Sequence, residues 1–113
     1  MKTFGEEVRR LRKLKGITQK SLAEKVGVDF TYVSKMENDR LVHSPSEEVI
    51  RKIAKLLDVD ASNLLILARK VPSDLRDTIV TDELVLDFLR VAPMMNESQR
   101  AQLKSMVNDL EEQ

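Results

Sequence analysis

From Phe4 to Leu110 the apolar residues return every three or four positions, and over no strand-length stretch do they alternate with period two. Side chains at that spacing share one face of an α-helix, whereas a strand turns successive residues to opposite faces. The chain is therefore expected to be all-α. Its 113 residues include only three Gly and three Pro, and 42% are hydrophobic. That is enough to bury a core, so wholesale disorder is not expected. The length suits one domain, or a small domain with an appendage.

The helices can be placed from caps and breaks. Phe4, Val8, Leu11 and Leu14 mark the first, with Gly16 as its stop. Thr18 reads as the N-cap of a second helix with Leu22, Ala23 and Val26 inward, ended by Gly27. Asp29 caps a third through Glu37, with Val33 and Met36 inward. A polar loop from Asn38 to Pro45 leads to a fourth, capped by Ser46, whose inner residues are Val49, Ile50, Ile53, Ala54 and Leu57. A fifth runs from Asp60 or Ala61 to about Arg69, headed by Leu64 and Leu65. Past Pro72, Leu75 and Ile79 mark a short sixth helix. Leu84, Val85, Phe88, Leu89 and Ala92 mark a seventh, stopped by Pro93. Asn96 with Gln99 three residues on has the form of a capping box for a last helix, striped by Leu103, Met106, Val107 and Leu110.

Several function classes drop out. There is no Cys and a single His, His43, so thiolate chemistry, a His-based metal cluster and a Ser-His-Asp triad have no basis. No paired carboxylates, nucleophile–base pair or phosphate-binding Gly loop can be assembled. An enzyme, a cofactor and a metal are accordingly not expected. The longest aliphatic run, Leu64 to Ala68, is five residues, far short of a membrane span. Charges crowd the N-terminus where a signal peptide needs an apolar stretch, so a cytoplasmic location is expected. Nineteen basic residues balance nineteen acidic ones, which taken alone argues against nucleic acid. The balance is a sum of opposites. Residues 1–45 carry ten basic and six acidic side chains, and residues 70–113 carry five basic and nine acidic.

Within the basic part, two short helices joined by a tight turn, Gln19–Val26 and Phe30–Glu37, have the helix-turn-helix pattern. In that motif the first helix braces the duplex backbone and the second presents its outward face to base edges in the major groove. Ala23 suits the close crossing and Gly27 the turn, while Val28 and Val33 anchor the second helix. The stretch GITQKSLAEKVGVDFTYVSKMEND at 16–39, continued by VIRKIAKLLDVDASNLL at 49–65, resembles the Cro/CI-type (XRE-type) helix-turn-helix regulators over roughly the first 69 residues.

That resemblance implies a five-helix, lambda-repressor-like DNA-binding domain at 1–69, and the periodicity beyond Pro72 makes 70–113 a helical extension. It implies that Gln19 holds a phosphate at a helix N-terminus. Phe30, Thr31, Ser34 and Lys35 match the base-facing positions, Tyr32 and Asn38 match backbone-touching ones, and Arg40 lies in the loop that follows the duplex. Lys35 is suited to guanine O6 and N7, and Phe30 to a thymine methyl. Arg12 and Glu37 match an ion pair that locks the scaffold. Asp29 stands where the family more often has Ser or Thr; near phosphates its carboxylate must either point away or read a cytosine amine. The expected function is a sequence-specific transcriptional regulator, a repressor that binds a palindromic operator of double-stranded DNA as a homodimer. The dimer would set two recognition helices about 34 Å apart. Phe88, Leu89, Leu103, Met106, Val107 and Leu110 are the expected dimer or partner interface, with an effector or antirepressor protein as a further partner. The alternative is an interaction adaptor that uses the helix-turn-helix as a docking module.

Overall fold

A computed structural model describes residues 2–113. Among them the chain forms eight α-helices and no strand: α1 (Phe4–Leu14), α2 (Gln19–Val26), α3 (Phe30–Glu37), α4 (Glu47–Leu57), α5 (Ala61–Leu67), α6 (Ser73–Thr81), α7 (Glu83–Val91) and α8 (Glu97–Glu111). A 3-10 turn at Ala92–Met94 follows α7. The caps fall where short polar side chains precede apolar stripes. Thr3, Thr18, Asp29, Ser46, Asp60, Asp82 and Asn96 each accept a backbone N–H of the helix they open. Such a bond satisfies one of the donors that a helix start leaves without a partner. Asn96 and Gln99 complete a reciprocal capping box.

The chain divides into two compact units, the first through Ser73 and the second from Asp74 to Gln113. In the first, α1–α5 enclose a core whose fully buried side chains are Val8, Leu22, Val33, Ile50, Ile53, Leu64 and Leu65. Burying each such aliphatic group contributes roughly 1.5–3 kcal/mol. Ala23 is 3% exposed, which lets α2 lie close to its neighbours. Near the end of the first unit Pro72 is buried and the Glu47 carboxylate holds Ser73. Its Oε2 accepts from the Ser73 hydroxyl at 2.7 Å and from the Ser73 backbone N–H at 3.3 Å. Arg51 Nε also donates to that oxygen, at 2.9 Å.

Two expectations are corrected. Leu14 continues the stripe of α1 but is 72% exposed. The last turn offers its inward position to Arg12 instead, which is 9% exposed. Helix α5 stops at Leu67, short of Arg69, because Arg69 adopts a left-handed conformation at φ 60°. The Lys70 N–H then reaches back to the Leu65 carbonyl at 2.9 Å, closing the helix end without a glycine.

In the second unit no helix contributes a buried residue. Phe88 and Leu103 are half-buried. Leu89, Met106, Val107 and Leu110 are 46%, 60%, 40% and 61% exposed. The stripes foreseen on α7 and α8 exist, and this chain by itself leaves them largely uncovered. No helix among the described residues is long and apolar enough to cross a membrane.

Candidate nucleic-acid interface

Helices α2 and α3 are joined by a three-residue turn whose geometry depends on Gly27. Its φ is 82°, in the left-handed region that a Cβ disfavours. The Gly27 and Val28 N–H groups both close onto the Ala23 carbonyl, at 2.9 and 3.0 Å. Asp29 then caps α3, its Oδ2 accepting the Thr31 N–H at 3.0 Å. Along α3, Val33, Met36 and Glu37 turn inward and are buried. Phe30, Thr31 and Lys35 are exposed, Phe30 at 50%. One eight-residue helix thus has an anchored face and a free one.

The anchor is polar as well as apolar. Arg12 Nε and Nη2 donate to the two Glu37 carboxylate oxygens at 2.7 and 3.0 Å, and Nη1 donates to the Ile17 carbonyl at 2.8 Å. This two-point pairing of guanidinium and carboxylate fixes orientation as well as distance. Gln19 Nε2 donates to Glu37 Oε1 at 3.0 Å. The side chain that opens α2 is therefore held to the far end of α3 through the same carboxylate. Among the described residues no buried side-chain polar atom lacks a partner.

A second clasp escaped the sequence reading. Asp39, just beyond α3 at φ 55°, accepts from the Thr3 hydroxyl at 2.6 Å and from the Gly5 N–H at 3.0 Å. It caps α1 from 34 residues away, and Gly5 lies against the carbonyl oxygens that end α3. No local signal marks it, because both partners are distant in sequence.

The sequence-derived site residues are not placed alike. Phe30, Thr31 and Lys35 share the free face of α3, and Arg40 is exposed just after it. Tyr32 is half-buried and packs against the core; burial raises its phenol pKa. Ser34 is half-buried. The Asn38 amide folds back onto its own helix, Nδ2 donating to the Ser34 carbonyl at 2.8 Å. Gln19 is half-buried, with its amide N–H2 engaged as described.

Comparison with known proteins bears on this arrangement. A helix-turn-helix family model matches residues 8–64. An uncharacterised HTH-type transcriptional regulator of Mycobacterium tuberculosis is 32% identical over 89% of this chain and 79% of its own length. The HTH-type transcriptional regulator SinR of Bacillus subtilis is 38% identical over 62 residues, 55% of each chain. Among solved structures, SinR in complex with DNA matches 56% of this chain and 98% of its own with 35% identity and a TM-score of 0.51. A complex of SinR with SinI matches 98% of this chain and all of its own with 25% identity and a TM-score of 0.54.

Proposed function

The chain belongs to the XRE-type helix-turn-helix family of transcriptional regulators, and on that premise we propose that it is a repressor that binds a palindromic operator as a homodimer. The observation that carries the DNA-binding reading is the division of α3, with Phe30, Thr31 and Lys35 outward and Val33, Met36 and Glu37 fixed inward. SinR, similar over this segment, has been solved bound to DNA. A phosphate would meet the backbone N–H groups that open α2 at Gln19, where donors point outward. Lys35 would donate to a guanine and Phe30 would pack on a thymine methyl. Thr31 and Ser34 would face bases beside them, and Tyr32, Asn38 and Arg40 would line the flanking backbone.

The homodimer reading rests on the uncovered apolar residues of α7 and α8. A two-fold protein is what a palindromic site requires. Repression would be steric, a dimer occupying a promoter. A second reading, docking of another protein on those same helices, is favoured by the full-length likeness to a chain solved with SinI. Sedimentation of the purified chain separates the two: a stable dimer without other protein supports the first.

The experiment for DNA binding is selection of bound duplexes from a random pool, followed by fluorescence anisotropy across a salt series. A selected sequence bound with a steep salt dependence is the expected result. Binding that is equally weak to every duplex overturns the proposal. Lys35→Ala should relax base preference at one position by about tenfold with the fold intact.

A further inference from the structure

Asp29 is an exposed carboxylate at the leading end of α3. One oxygen, Oδ2, is held by the Thr31 N–H at 3.0 Å. The structure gives Asp29 no ion pair and no other side-chain hydrogen bond among the described residues. It stands beside Phe30 and Thr31, whose side chains are also exposed. In helix-turn-helix docking the N-terminal residues of the second helix are the ones that reach base edges. An uncompensated negative charge there opposes binding to phosphates unless it points away from them or meets a donor.

We propose that Asp29 determines specificity, selecting a cytosine in the operator by accepting a hydrogen bond from the base's N4 amine; this rests on the DNA-binding reading above. The base edges decide the choice. Guanine presents two acceptors in the major groove and thymine one, all of which repel a carboxylate. Adenine offers an amine flanked by the N7 acceptor. Cytosine alone offers a donor with no acceptor on its own edge. The bond from Thr31 fixes the carboxylate, which leaves Oδ1 to accept. Discrimination therefore comes from attraction to one base and repulsion by the others.

The test uses the full-length chain in parallel duplex selections with Asp29→Asn and Asp29→Ser. Both replacements are good N-caps, and melting by circular dichroism checks that the fold persists. The wild type should return a cytosine at one position of each half-site. Asp29→Ser should lose that preference alone, discrimination at the position falling about tenfold. In Asp29→Asn the cap occupies the amide oxygen and leaves N–H2 outward, so preference should move to a base with an acceptor. A selected operator whose cytosine is replaced by pyrimidin-2-one, which lacks the amine, should bind the wild type about tenfold more weakly and Asp29→Ser unchanged. The same motif from all three proteins, or a wild type indifferent to loss of the amine, overturns the role of Asp29 and leaves DNA binding standing. No selected motif and no salt-dependent binding by the wild type overturns both.

Discussion

The Glu37 carboxylate accepts from three donors on two other helices, Arg12 Nε and Nη2 from α1 and Gln19 Nε2 from α2. Removing it leaves the Arg12 guanidinium buried without its counter-charge, the costly half of a broken buried pair. Glu37→Ala should lower the unfolding free energy by about 3–5 kcal/mol in urea denaturation. Glu47 offers a test by pH. The Ser73 hydroxyl, then Arg51, hold its carboxyl down from the usual 4.5 to about 2. A depressed folded pKa means that its stabilisation is complete above about pH 4.5 and is lost as pH falls through about 2. Glu47→Gln should therefore be less stable than wild type at neutral pH, with the gap closing towards pH 2, as read by urea midpoints. At this scale legibility depended on what a residue's neighbours in sequence reveal. The caps Thr18, Asp29, Ser46 and Asn96 could be read locally. Arg12–Glu37 came through family resemblance alone. Asp39 and the Glu47–Ser73 contact had no signal, because their partners lie 26 to 36 residues away.

Two glycines separate steric from conformational control between helices. A Cβ on Gly5 would press into the carbonyl oxygens of Met36 and Glu37, the latter at 2.8 Å. These are backbone atoms, so α1 and α3 would have to part. Gly5→Ala should cost about 1–3 kcal/mol, the usual range for overpacking, and should weaken operator binding by moving α3. Gly27 has open space where its Cβ would go but a φ of 82°, so Gly27→Ala should cost only about 1 kcal/mol. Paired thermal melts and anisotropy titrations of the two variants check both. Gly27 was legible because the turn between two amphipathic segments demands it. Gly5 was not, since a glycine inside a helical stripe looks like a weak helix residue until the facing helix is known. The ends of α4 and α5 were similarly hidden: Asp58 and Arg69 take positive φ, at 57° and 60°, where the sequence offers no glycine.

With the first unit reaching Ser73, residues 1–73 hold fifteen basic and ten acidic side chains, and residues 74–113 hold four and nine. The zero net charge is thus an exact cancellation between two bodies of opposite sign. Truncation after Ser73 should raise affinity for non-operator DNA, because an acidic segment that opposes phosphates is gone. If the segment also supplies the dimer contact, operator affinity should fall in the same series, and the sedimenting mass should become that of one chain. Anisotropy on both duplexes with sedimentation alongside reads all three. The division of α3 reaches further than any one operator. Folding free energy is stored in Val33, Met36 and Glu37, while the chemistry offered outward sits in different residues of the same helix. On the proposed reading, a lineage of such chains can change its target one outward side chain at a time while the residues that hold the fold stay in place.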